Sequence, residues 1–391
     1  MNLTQIQSAL REEGLDGWLF FDHHLRDPLA YKLLQFEAER SPTRRWYYFI
    51  PANGEPKKLV HKIEANLIDA LPGLKESYAG WGTQVDGIRN IIGGAKKVAM
   101  QYSPNCSIPY VAMVDGGTID LVRSLGIEVV SSANLVQVFE AKWNQEKLDS
   151  HMEAGRKVDA IRRAAFEHIG TSLMGRSPIG EFDVQQFILR AFAAEGLFTD
   201  HGPTIAVNAN ASNPHYLPSR EVSSPIQQND LVLIDMWAKL DKPGAVYYDI
   251  TWTGYTGYDP PAEIVNVFQV VTGARNAAID YIKTSVAARI PMCGFQVDDV
   301  TRAYITGLGF GEFFFHRTGH SIGEEVHGNG ANMDNLETHD DRKIIPWTCF
   351  SIEPGIYLPE FGIRSEVNMF VGENDARVTG EVQTELLRIC D

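Results

Sequence analysis

The chain has 391 residues, 44% hydrophobic and 22% charged, a soluble globular balance in a length that calls for two domains rather than one core. Its formal charge of -15 argues against nucleic acid or an anionic membrane as the main partner, because an acidic surface repels phosphate and no basic run offsets it. The four cysteines, Cys106, Cys293, Cys349 and Cys390, form no C-x-x-C pair, which speaks against a disulfide framework or a thiolate zinc site.

The start, Met1 to Gly14, is polar and reads as a helix over its first dozen residues. The apolar run Gly17–Phe21 is too short for a signal h-region or a membrane span, and a cytoplasmic location is expected. Strands are predicted at Gly17–Phe21, Arg45–Ile50, Lys58–His61, Lys97–Gln101 and Glu128–Ser131, with a helix at Met113–Leu125. Together they suggest a small α/β domain over residues 1–144 with no catalytic constellation. Asp22, His23, His24 and Asp27 follow a strand and read as a solvated turn.

From 145 onward the character changes. Gln145–Met174 is one long amphipathic helix, with Leu148, Met152, Val158, Ile161, Ala165 and Ile169 near helical spacing. Glu181–Glu195 is a second, and a third starts after Asp259-Pro260-Pro261, with Asp259 as its cap. Strand-like segments stand at Leu231–Trp237, Val246–Gly254, Thr348–Glu353 and Phe361–Val371. Helices grouped apart from antiparallel hairpins predict an α+β domain over residues 145–391.

Two hairpins carry the chemistry. Leu231–Ile234 runs into Asp235 and turns at Asp241-Lys242-Pro243-Gly244. The chain returns with Tyr247, Asp249, Thr251 and Thr253 on one face. A hairpin centred on Lys242 pairs Asp235 with Asp249, and facing Cβ atoms lie about 4.5–5.5 Å apart, close enough for like charges to repel. In the second hairpin a turn at Pro359-Glu360 pairs Leu358 with Phe361 and sets Glu353 opposite Glu366. Pro354 cannot donate to a ladder, so a bulge or an edge is expected there. One acid at a strand end only caps a turn. Two facing pairs in apolar strands need protons or cations.

His316 and His320 stand four apart, but no Glu follows His316, and Gly319 and Gly323 disfavour the helix of an H-E-x-x-H site. A single imidazole ligand on a strand or turn fits better. Four carboxylates are neutralised by two divalent ions, and oxygen-rich ligation with one imidazole suits Mn²⁺, with Co²⁺ or Zn²⁺ as alternatives. A pair about 3.5–4 Å apart can hold a bridging hydroxide to attack a carbonyl.

The strings LIDMW, YYDITWT, HRTGHSIG, EEVH, SIEPGIY and IRSEVN resemble the pita-bread metallopeptidases, in the prolidase and aminopeptidase P branch. The resemblance implies a creatinase-like N-terminal domain, a pita-bread catalytic domain and a homodimer. The activity it implies is hydrolysis of the bond preceding proline in a peptide. It also implies Asp235, Asp249, His320, Glu353 and Glu366 as metal ligands. Glu353 would shuttle the proton, His215 and His327 would act as auxiliary histidines, and His316 and Arg364, matching further motif positions, would be substrate-binding, with Arg364 also orienting Glu366.

The chain departs from that family's pattern in carrying Trp237 where Gly is usual and Trp252 where Arg is common. Gly328 replaces an acid, and the Asp235–Asp249 spacing is longer. These departures bear on the substrate pocket more than on the metals. A same-fold hydrolase of a non-peptide C–N bond, creatinase-like or ectoine-hydrolase-like, is the alternative. A pure binding module is disfavoured by the complete ligand set.

Overall fold

Gly17–Asp22 (β1) is buried along its whole length, and its alternation explains why. Trp18 and Phe20 enter one core and Leu19 and Phe21 another, so the strand is covered on both faces. The computed structural model describes residues 2–37 and 41–390; Met1 and Asp391, the ends of the two expected domains, lie outside them. The chain divides into two compact units, Met1–Glu140 and Ala141–Asp391.

In the first unit, β1 joins β2 (Trp46–Pro51), β3 (Lys57–His61), β4 (Leu74–Tyr78), β5 (Lys97–Met100) and β6 (Glu128–Ser131) in a six-stranded sheet. Its order is β4-β3-β2-β1-β5-β6. The β1–β2–β3 neighbours are antiparallel and the rest parallel. The helices are α1 (Leu3–Glu12), α2 (Pro28–Leu34), α3 (Trp81–Ile92), α4 (Gly116–Ser124) and α5 (Ala133–Glu140). The helix expected from Met113 begins only at Gly116, because Asp115 caps it by accepting from Thr118 N–H at 2.9 Å. The turn after β1 is not solvated at its acids. Asp22, buried, accepts from the N–H groups of Leu25, Arg26 and Asp27, and Asp27, also buried, caps α2 through Ala30 N–H.

In the second unit α6 spans Gln145–Met174, capped by Asn144 accepting from Lys147 N–H at 2.9 Å. α7 is Glu181–Ala194, α8 Ala262–Ala288 and α9 Gly294–Gly307. Asp259 does not cap α8. It precedes one proline and Pro260 precedes another, which disfavours helical backbone at both, so Pro261 becomes the N-cap and offers no side chain.

The strands are β7 (Leu197–Phe198), β8 (Thr204–Val207), β9 (Leu231–Leu240), β10 (Tyr248–Tyr255), β11 (Ser321–Ile322), β12 (Thr348–Ile352), β13 (Gly355–Tyr357), β14 (Gly362–Arg364), β15 (Val367–Val371), β16 (Ala376–Val378) and β17 (Leu387–Arg388). One sheet runs β17-β10-β9-β7 with β8 also on β9, another runs β11-β12-β15-β16, and β13–β14 form a ribbon. The architecture is α+β. One face of β9–β10 packs Ile234, Met236, Ala238 and Ile250 in a core with Ala154, Val158 and Ile161 of α6. The other face carries the acids. Among the described residues no helix is long and apolar enough to cross a membrane.

The first hairpin is shifted from its expected register. Asp235 faces Thr251 and Asp249 faces Trp237, because the turn, with Gly244 at φ +75°, is placed one residue later. The offset between partners is two residues. An even slip keeps side chains on their face, so both acids still share one, as diagonal neighbours. In the second hairpin Ile352 pairs with Val367 and Gly355 with Arg364. Both ladders keep the register that sets Glu353 level with Glu366. No bulge forms at Pro354; the strands part there into two ladders with no extra residue on either side.

Candidate functional site

Asp249, His320 and Glu366 offer ligand atoms that all lie within 4.8 Å of one another, and all three are buried. Asp249 comes from β10, His320 from the residue before β11, and Glu366 from the junction of β14 and β15. Gly319 lets His320 in: a Cβ there would stand 1.9 Å from the Ser351 carbonyl oxygen. His320 Nε2 lies 3.6 Å from Asp249 Oδ2 and 3.4 Å from Glu353 Oε1.

The chemistry of these atoms is one-sided. His320 Nδ1 lies 3.3 Å from the Ser321 carbonyl, an acceptor, so Nδ1 carries the proton and Nε2 presents a lone pair to the carboxylates. Burial pushes the His320 pKa down, despite the opposing Glu353 charge, which keeps the ring neutral. Asp249 Oδ1 and Glu366 Oε1 are buried without a hydrogen-bond partner. Burial and then the charge of Asp235 hold the Asp249 carboxyl well above its usual range; burial and then Asp249 do the same for Glu366. Acceptors converging without donors repel unless protons or cations lie between them. The donor set therefore fits a divalent cation.

Glu353 and Asp235 are half-buried at the edge of this group. Glu353 Oε1 accepts from Ser351 Oγ at 3.1 Å. Burial raises its pKa, with His320 opposing. Asp235 Oδ2 accepts from Arg364 Nη2 at 2.6 Å. Arg364 Nε also donates to Thr251 Oγ1 at 3.1 Å, and that hydroxyl donates to Glu366 Oε2 at 2.9 Å. Arg364 thus reaches Glu366 through Thr251 and Asp235 directly. Asn368 clamps the backbone of Asp249 on both sides, at 3.1 and 2.7 Å.

The remaining histidines differ in what they leave free. His327 sets its ring edge-on to His320, centroids 4.3 Å apart, while part of the residue reaches solvent. Burial and then His320 push its pKa down. His215 is exposed, and it adds to the downward push on His327. His316 has both ring nitrogens engaged, Nδ1 with the Arg317 carbonyl and Nε2 with Tyr357 Oη, each at 2.7 Å. Tyr357 Oη in turn accepts from Arg364 Nη1 at 3.0 Å. His316 is pushed down to about 3 by burial and by Arg364.

Alternation along the strand put Thr251 on the carboxylate face without revealing its link to Arg364. Tyr357, Asn368 and Ser351 left no signal of their own. Trp252 lies on the opposite face of β10, with the Arg162 guanidinium 3.4 Å from its ring centroid, and so stands away from the acids. Trp237 shares their face.

Comparison with known proteins places the chain in a family. Residues 149–373 match the family described as Metallopeptidase family M24. An Xaa-Pro dipeptidase of Lactobacillus delbrueckii subsp. lactis is 31% identical over 378 residues, which is 94% of this chain and 93% of that one. The match to an Xaa-Pro dipeptidase of Lactobacillus helveticus, also 31% identical, covers 56% of this chain and 55% of that relative. Among solved structures, dipeptidase PepE from Mycobacterium ulcerans superposes with a TM-score of 0.65 at 23% identity, covering 99% of this chain and 96% of that one. A prolidase from Thermococcus sibiricus gives 0.60 at 20%, covering 99% and 98%. The two structures establish a fold shared along nearly the whole length, and the family match spans both carboxylate hairpins and the histidine segment. The chain belongs to the M24 metallopeptidases.

Proposed function

We propose that the chain is an Xaa-Pro peptidase, an aminopeptidase or a dipeptidase, whose Asp235, Asp249, His320, Glu353 and Glu366 hold two divalent ions, foremost Mn²⁺. The observation that carries this reading is the convergence of buried acceptors, two of them unpaired, around one imidazole lone pair. The kinship to Xaa-Pro dipeptidases supports the substrate class.

Divalent ions in such a site supply acidified water and Lewis-acid polarisation of a carbonyl. The protein does the rest. Glu353, its pKa raised by burial, takes the proton of the attacking water and returns it to the departing proline nitrogen. His327, beside His320, and His215 donate to the oxygen on which charge develops. Arg364 fixes Asp235 and Thr251, and through Thr251 the carboxylate of Glu366. His316 locks Tyr357, which braces Arg364.

Hydrolysis of a panel of X-Pro and X-Pro-Y peptides, after chelation and after Mn²⁺ addition, tests the reading. Release of proline or Pro-Y restored by metal is expected. Full activity in chelator refutes the metal role, and no turnover of any X-Pro peptide moves the assignment to a non-peptide C–N bond.

A further inference from the structure

Trp237 is the departure that the proposed reaction leaves unused. It stands opposite Asp249 across the hairpin and two residues beyond Asp235, on the face of the sheet that carries both acids. Its indole Nε1 donates to Asp200 Oδ1 at 2.7 Å. Asp200 Oδ2 lies 3.2 Å from His201 Nδ1. The Asp200 side chain is 40% exposed. No lysine or arginine among the described residues pairs with it.

Partial burial pulls the Asp200 pKa up, but the bonds from Trp237 and His201 outweigh it, and the carboxyl is held below its usual value. Its charge is felt at both Asp249 and His327, which sets it at the rim of the acid cluster. A carboxylate held by the indole and by His201, and open to solvent, therefore stands beside the cluster with no lysine or arginine on it among the described residues.

We infer that Asp200 and Trp237 form a cation subsite that takes the protonated α-amino group of the substrate peptide. This rests on the Xaa-Pro reading. In an Xaa-Pro substrate the attacked carbonyl and the terminal amine belong to the same residue. A subsite for that amine must therefore adjoin the cluster, and Trp237, facing Asp249, does so. An ammonium seeks an anionic acceptor and the face of an aromatic ring, best an indole. The glycine usual at this position in the family supplies neither.

The test uses the full chain incubated with Mn²⁺ and two ligands that resist hydrolysis, the ketomethylene isostere of Ala-Pro and its N-acetyl derivative. Binding is measured by calorimetry. The wild type is expected to bind the free amine about tenfold tighter than the acetylated form, a difference of about 1.4 kcal/mol. Asp200→Asn keeps an oxygen for the indole N–H and removes only the charge; its ratio is expected to fall toward one. Trp237→Phe keeps a ring but frees Asp200, and is expected to lower the ratio part way, with its own melting temperature as the check on folding. A ratio unchanged in both variants overturns the subsite, as does a wild type that binds both forms equally. A wild type that binds neither form overturns the Xaa-Pro reading along with the subsite.

Discussion

Arg364 donates to Asp235 at 2.6 Å from a side chain that is almost wholly buried, so one of the proposed metal ligands is already paired with a fixed cation. The same guanidinium holds Thr251 and Tyr357. Replacing it by glutamine removes the charge and leaves Asp235 uncompensated. Breaking such a pair costs about 3–5 kcal/mol. Urea unfolding of Arg364→Gln should show a loss of that order in chelator and a smaller one in Mn²⁺, where a cation again sits beside Asp235. Equal losses under both conditions would separate Asp235 from the metal.

Asp249 Oδ1 and Glu366 Oε1, buried and unpaired, make the metal-free cluster self-repelling. A ligand present at a hundredfold over its Kd stabilises by about 2.7 kcal/mol. Mn²⁺ should therefore raise the melting temperature of the wild type by several degrees. Glu366→Gln removes one of the repelling charges. It should melt in chelator at or above the wild type and gain nothing from Mn²⁺. A scan in which metal still stabilises Glu366→Gln fully would contradict its role as a ligand.

Glu181, wholly buried, accepts from four donors: Val207 N–H at 2.8 Å, Asn210 Nδ2 at 2.8 Å, Tyr216 Oη at 2.6 Å and Ser224 N–H at 2.6 Å. These residues bracket His215. A carboxylate offers only acceptors, whereas glutamine must turn an amide N–H toward one of the donors. Leaving a buried donor unsatisfied costs about 1–3 kcal/mol. Glu181→Gln should loosen the segment around His215 and lower kcat/KM about tenfold with metal content unchanged. Metal analysis beside steady-state kinetics separates this outcome from damage to the cluster.

Asp27 is pushed up to about 7, chiefly by burial, against the Ala30 N–H and with the Asp22 charge adding. An unfolded Asp titrates near 3.9, so between about pH 4 and 7 the folded form binds more protons. Stability from this group is therefore lost as pH rises through that window. Asp27→Asn keeps an oxygen for the Ala30 N–H and removes the titration. It should exceed the wild type at pH 8 by a few kcal/mol, at about 1.4 kcal/mol per pKa unit, and converge with it below pH 4. Parallel pH profiles from urea unfolding would refute the assignment.

Much of this is legible in the amino-acid sequence. The Gln145–Met174 helix is readable in the sequence, because its apolar spacing is local. So is the level pairing of Glu353 with Glu366, which a two-residue turn dictates. The first hairpin slipped because residue counting centres a loop without knowing its backbone, and Gly244 at positive φ moves the turn. The carboxylate face survived since the slip was even. Thr251 was found on that face by alternation, yet its bond to Arg364 joins residues 113 apart in sequence. Glu181 and Asp200 act through comparable tertiary contacts, which periodicity cannot report.

Anomalous diffraction from crystals soaked in Mn²⁺ tests the central claim most directly. The account predicts two peaks per chain, about 3.5–4 Å apart, among Asp235, Asp249, His320, Glu353 and Glu366. Crystals without a peak among these residues, from protein that still hydrolyses an X-Pro peptide in the same Mn²⁺ solution, would contradict it.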